Sequence, residues 1–300
     1  MSPEINQNFG NQLSLGIGEF SQPVVISASR RTELVALRPD WLVNALKTFK
    51  GDIHSVVLWT KDPTNIYAHQ ELRKELEKHN VSVHLTITGL GGTRIEPTVP
   101  KPEAILEKLP DLLEFLGDTR RLRWRFDPIV TLKKEDGSNW SSSVFFEPLA
   151  KEMARLGADN CYFSFCKVYP KIRRRKLRES GIHIVEPTID DQISVVNQMK
   201  ETASSFGITL YSCAQPILEN IEGIVPAKCI DGKLLAELHP QKLQASLERD
   251  KGQSKYRPAC YCTESKDIGS YFPCGHGCSY CYAEAAILPP ERLKQKPMPW

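Results

Sequence analysis

A chain of 300 residues, 41% hydrophobic and 25% charged, has the length and composition of a folded protein with a full core, either one large α/β domain or two smaller ones. No apolar run approaches the roughly 18 residues of a membrane span, and the polar N-terminus lacks the basic-then-apolar layout of a signal peptide. A soluble, cytoplasmic protein is expected, and a net charge of +3 implies no partner by itself.

Residues 1–22, rich in Asn, Gln, Gly and Ser, read as a flexible arm. Short β-rich runs then alternate with helical stretches, the signature of repeated βα units. Strands are expected at 24–28, 54–59, 81–88, 121–126, 160–166 and 208–213, and helices at 39–49, 65–79, 102–116, 143–157 and 189–206. Thr64 suits an N-cap, while Pro102 and Gly117 punctuate the third helix. Together, 23–213 form a partial parallel (β/α) barrel of TIM-like type. The stretch 214–258 has no clear period and reads as a peripheral wrap, followed by a cysteine-rich segment at 259–283 and a proline-rich tail at 284–300.

Strand parity is informative, because alternate residues face opposite sides. In 81–88, Val81, Val83, Leu85 and Ile87 oppose Ser82, His84, Thr86 and Thr88. In 121–126, Leu122, Trp124 and Phe126 oppose three arginines, and in 208–213, Ile208, Leu210 and Ser212 oppose Thr209, Tyr211 and Cys213. A packed barrel lumen prefers branched apolar residues, so a polar lumen predicts a cavity for a charged ligand. Its candidate residues are Ser27, Arg30, Arg31, Lys61, His84, Arg125, Asp127 and Tyr211, several just past strand ends, where barrel enzymes carry their chemistry. An inward Arg125 suits a carboxylate or phosphate, or pairs internally with Asp127.

Nine cysteines in a reducing compartment point to metal rather than disulfides. The sharpest pattern is Cys274-Gly-His-Gly-Cys278-Ser-Tyr-Cys281, a C-x3-C-x2-C loop. Three thiolates there can hold three irons of a [4Fe–4S] cubane and leave the fourth open, and Gly275 and Gly277 let the backbone wrap it. The alternative is a structural zinc loop completed by His276 or a distant cysteine, although zinc favours paired C-x2-C knuckles. His276 otherwise serves beside the ligands. Cys213, Cys229, Cys260 and Cys262 make a second set, enough for a closed [4Fe–4S] cluster or a zinc site if the fold unites them. Buried free thiols are the bland alternative, and Cys161 and Cys166 read as core or lumen lining.

The C-x3-C-x2-C loop with Tyr280 before its last cysteine resembles radical S-adenosylmethionine enzymes, and Cys274 to Ala283 is similar to the loop of spore photoproduct lyase-like members. There the loop usually lies near the N-terminus. Its C-terminal place here, with Ile26 to Thr32, Arg125-Phe-Asp127-Pro128, Cys260-Tyr-Cys262 and Ser265 to Gly269, resembles an uncharacterised bacterial family, the domain of unknown function numbered 1848, over residues 22–283. Thr60-Lys61, Glu96-Pro97 with Pro100, and Asp127-Pro128 are similar to later lyase-like strands in their usual order. The resemblance thus implies a circularly permuted barrel in which the C-terminal segment supplies the first βα unit. It also implies S-adenosylmethionine as cofactor and an electron donor such as ferredoxin or flavodoxin, with Ser27, His276 and Tyr280 near the cofactor.

The basic run Lys171 to Arg178 suits nucleic-acid phosphates or a solvated face. Thr88 to Thr93 lacks the Gly-Lys-Ser/Thr ending of a phosphate loop, and reads equally as a tight turn or a close approach of backbone to cofactor. The leading expectation is a radical-type iron–sulfur enzyme of unknown substrate. The alternatives are a zinc or iron–sulfur protein that binds nucleic acid, and one that carries electrons.

Overall fold

The computed structural model describes residues 22–170, 172, 183–270, 273–283 and 296–299. The expected flexible arm, nearly all of the basic run at 171–178 and most of the tail lie outside the described residues.

In chain order the elements are β1 (Val24–Ala28), α1 (Pro39–Lys47), β2 (Ile53–Thr60), α2 (Thr64–Ala68), α3 (Gln70–Leu76), β3 (Val81–Thr86), α4 (Pro102–Glu107), α5 (Leu109–Leu116) and β4 (Leu122–Ile129). Then come β5 (Thr131–Lys133), β6 (Asn139–Ser141), α6 (Phe146–Arg155), β7 (Asn160–Phe165), β8 (His183–Val185) and α7 (Ile189–Ser205). The last are β9 (Thr209–Ser212), β10 (Ile224–Pro226), α8 (Gly232–Leu238), α9 (Lys251–Tyr256) and β11 (Lys266–Asp267).

Eight strands form one parallel sheet in the order β10-β9-β7-β4-β3-β2-β1-β11. The six strands expected from the sequence form its centre. The sheet is open, with β10 and β11 at opposite ends rather than paired into a closed barrel. The stretch expected as a peripheral wrap supplies the edge strand β10, and its Ala227, Ile230, Leu235 and Ala245 pack beside Val25, Val57 and Tyr162 of the sheet. At the other edge, Ile26 and Ser27 of β1 pair with Lys266 and Asp267 of β11.

One face of the sheet meets the helices. Ile26, Leu58, Val83, Leu85, Trp124, Phe126, Phe163 and Leu210 pack there with Leu42, Leu72, Leu112, Phe146 and Met199 from the helical layer. Trp124 lies flat on Phe146 at 5.5 Å, with Phe126 edge-on to Phe146 at 5.4 Å. Cys161 belongs to this core.

The helix breaks follow local chemistry. The single helix expected over 65–79 divides at His69, whose extended backbone and Nδ1 atom, accepting from Leu72 N–H at 3.2 Å, start α3. That expected over 102–116 divides because Pro110, near the start of α5, offers no N–H to the preceding turn. Gly117, at φ +67°, ends α5 in the left-handed region. A Thr188–Asp191 capping box starts α7. A small antiparallel sheet, β6-β5-β8, lies apart from the main one.

Candidate functional site

The second face of the sheet carries the polar parity set. Trp59 of β2 lies parallel to His84 of β3 at 4.2 Å, and His84 meets the edge of Tyr162 of β7, which stacks on Tyr211 of β9 at 4.8 Å. The Arg30 and Arg125 guanidinium groups stand over Trp59, at 5.9 and 5.1 Å from the ring centre. Arg123 stands over Tyr162. This face of the sheet is therefore an aromatic ladder with cations seated on it.

Arg30 and Arg125 are each tied by carboxylates. Arg125 pairs with Asp127, which also accepts from Ser164 Oγ. Burial would lower the Arg125 pKa, but Asp127 and the neighbouring Cys229 sulfur raise it well above the ordinary value. The internal ion pair anticipated for Arg125 is thus present. Arg30 reaches Asp250 and Ser265, and its backbone N–H donates to Asp267. Asp267 also accepts from Ser27 Oγ at 3.2 Å and Ser29 Oγ at 2.8 Å, while Ser27 Oγ accepts from Trp59 Nε1. Arg31 is exposed and donates to the Gly269 carbonyl. A Cβ on Gly269 would sit 1.9 Å from Ser29 Oγ, so only glycine lets these segments touch.

His84 is buried and donates Nε2–H to the Cys229 carbonyl at 2.6 Å, leaving Nδ1 bare and without a hydrogen-bond partner. Burial first, then Arg125, pushes its pKa well below the ordinary value, so the ring is neutral.

The three-cysteine loop 274–281 docks on the segment that follows β3. Ser279 N–H donates to Ile95 O, Ser279 Oγ to Arg94 O, and Thr98 Oγ1 to Gly275 O. Tyr280 donates to Glu96, whose Oε1 also accepts from Thr88 Oγ1 at 2.8 Å and Lys61 Nζ at 3.0 Å. Burial would lower the Lys61 pKa, but Glu96 and then Cys278 raise it overall. The Tyr280 hydroxyl is pushed well up by burial and by Glu96. Gly89 to Gly92 form a tight turn, with Thr93 N–H closing on Leu90 O, and position Glu96.

The three loop thiols lie within electrostatic reach of one another: Cys278 responds to Cys281 and Cys274, and Cys274 to Cys281. Burial, then Glu96, raises Cys278 well above an ordinary thiol, while burial raises Cys274. His276 is buried, with Nε2 3.4 Å from Glu33 Oε2 but off the line of a hydrogen bond, so neither ring nitrogen has a hydrogen-bond partner. Glu33 also accepts from the backbone N–H of Lys61 and of Ala36. Among the described residues, no three His, Cys, Asp or Glu side chains are disposed to hold a single metal ion.

The second cysteine set also comes together. Cys213 and Cys229 bring their sulfurs to 3.8 Å, and Cys260 and Cys262 pack in the same hydrophobic cluster. Sequence reading left out Glu33, Trp59, Tyr162, Ser164 and Asp250. Parity alone could have found Trp59 and Tyr162, which share the register of His84 and Arg125.

These features define an α/β protein whose parallel sheet presents a cation-bearing aromatic face beside a three-cysteine loop. Residues 47–283 match the family described as Domain of unknown function (DUF1848), and the chain belongs to that family. No curated protein and no solved structure matches it. No helix among the described residues is long and apolar enough to cross a membrane.

Proposed function

We propose that the chain is a radical S-adenosylmethionine-type iron–sulfur enzyme in which Cys274, Cys278 and Cys281 hold a [4Fe–4S] cluster. The observation that carries this reading is the anchored loop itself: three thiols within electrostatic reach of one another, docked by Ser279 and Tyr280 onto 94–96 and opening beside Lys61. The donor set fits the group. Each thiolate takes a different iron, so the sulfurs need not converge on one point. Gly277, at φ +64°, turns the loop, and a buried His276 with two unsatisfied ring nitrogens stands between the first two ligands. When bound with S-adenosylmethionine, such a cluster supplies one-electron cleavage to methionine and a 5′-deoxyadenosyl radical that abstracts hydrogen from substrate.

The chain's own residues orient and shield. Glu96 holds Tyr280 and Lys61 at the loop, fixing a cation beside the sulfurs. Trp59, Tyr162 and Tyr211 present flat apolar surfaces on the sheet face, and Arg30 and Arg125 supply positive charge for an anionic group. Pairing of β11 beside β1 supports a permuted barrel, since the C-terminal segment stands where a preceding strand would.

The test is iron, acid-labile sulfide and zinc per chain after anaerobic reconstitution, followed by 5′-deoxyadenosine formation with a chemical reductant. Replacing Cys274, Cys278 and Cys281 by Ala should remove about four iron and four sulfide and abolish 5′-deoxyadenosine. Stoichiometric zinc with no sulfide in the reconstituted wild type would overturn the reading.

A further inference from the structure

Four thiols outside the cluster loop gather from three separate places in the chain. Cys213 follows β9, Cys229 follows β10, and Cys260 and Cys262 precede β11. Cys213 and Cys229 bring their sulfurs to 3.8 Å, and Cys213, Cys229, Cys260 and Cys262 pack in one hydrophobic cluster. All four are reduced. Cys229 and Cys262 are buried, and the group packs with Trp59, Tyr162, Tyr211 and Ile230 on the sheet's second face.

Donors already point at the sulfurs. Arg125 NH1 lies 3.2 Å from Cys229 Sγ, and Ile230 N–H donates to Cys262 Sγ at 3.4 Å. Buried apolar thiols have no need of a buried guanidinium, which is costly to desolvate. Thiolates do, and metal binding requires the deprotonated form. Asp127 claims only part of the Arg125 charge, because NH2 pairs with the carboxylate while NH1 faces sulfur. In a cluster each iron takes one thiolate, so four ligands need not surround a single ion.

We propose that Cys213, Cys229, Cys260 and Cys262 ligate a second, closed [4Fe–4S] cluster. Four thiolates leave no open iron, so this centre binds no substrate atom. Its ligands are separate from those of the cluster loop, and the two sites stand or fall independently.

The test uses the full chain, reconstituted anaerobically with iron and sulfide, in two variants. One replaces Cys274, Cys278 and Cys281 by Ala, the other carries Cys260→Ser and Cys262→Ser. Each should keep about half of the wild-type iron and sulfide, with a visible sulfide-to-iron absorption band, and the combined variant should keep neither. Zinc without sulfide in the first variant would overturn the cluster. So would no metal at all in that variant while its circular dichroism and melting temperature match wild type. Should it fail to fold, alkylation mapped by mass spectrometry on the wild type decides. Protection of all four thiols, lost as a chelator strips the iron, supports the site; equal labelling before and after overturns it.

Discussion

Replacing Glu96 with Gln is the sharpest probe of how the three-cysteine loop is held. The side chain is 1% exposed, and Gln fills the same volume with an oxygen that can still accept from Thr88 and Tyr280. What disappears is the charge facing Lys61 Nζ at 3.0 Å. Breaking a buried ion pair from one side costs about 3–5 kcal/mol. Lys61 retains 15% exposure and attraction from Asp127, so a loss of about 2–3 kcal/mol is expected. The pH dependence carries the reasoning further. In the wild type the Lys61 pKa is raised, so its stabilisation is fully present below its unfolded value and fades only as pH climbs through the higher folded value. Without Glu96, burial dominates and the folded pKa drops below the unfolded one. The unfolded chain then binds more protons in that window, and the variant gains stability as pH rises, by at most about 1.4 kcal/mol per pH unit. Urea denaturation of both proteins from pH 7 to 10 should show the gap between them narrowing upward. A gap under about 0.5 kcal/mol at pH 7, or one that ignores pH, would refute the account of Glu96 as the counterion.

Trp124→Ala empties a fully buried site stacked on Phe146 and should cost about 3–5 kcal/mol, read as a lower urea midpoint with unchanged slope. Gly91→Ala would place a Cβ 2.0 Å from the Pro100 carbonyl, a backbone clash that no rotamer relieves. It should cost about 1–3 kcal/mol and loosen the docked loop, with faster alkylation of Cys274 and Cys281 as the readout. In metal-free protein, contact with Cys262 lowers Cys260 to about 7 against the opposing effect of burial, whereas burial lifts Cys166 to about 12. Iodoacetamide at pH 8 should therefore label Cys260 well before Cys166, with labelling half-maximal near pH 7; equal rates would count against the thiol contacts.

The central strands were legible because each carries its own evidence. In β3 and β4, two-residue alternation separates Val83 and Trp124, which meet the helices, from His84 and Arg125, which meet the aromatic ladder. The edge strands were not. β10 and β11 have three and two residues, too few for a period, and only their neighbours order them. The antiparallel β5–β6 pair was missed for the same reason, despite Gly137 at φ +83° in its turn. At the site, the two cysteine sets could be counted in the sequence, but their partners could not. Glu33 belongs to no strand, and its tie to Lys61 N–H and approach to His276 exist only because β1 and β2 run side by side. Asp267 shows the same limit, lying 240 residues from the Ser27 hydroxyl that it accepts from.

Chain order gives this architecture a timetable. Every central strand through β9 has been synthesised by Ser212, yet Cys274 follows some 60 residues later, about 3–12 s at ordinary elongation rates. A ribosome thus releases a nearly complete sheet whose β1 edge is still bare and whose aromatic face has no cysteine loop beside it. Docking of the cysteine loop is therefore a late event on a preformed platform, and a nascent chain stalled before Cys260 would display that platform without its last five sulfurs.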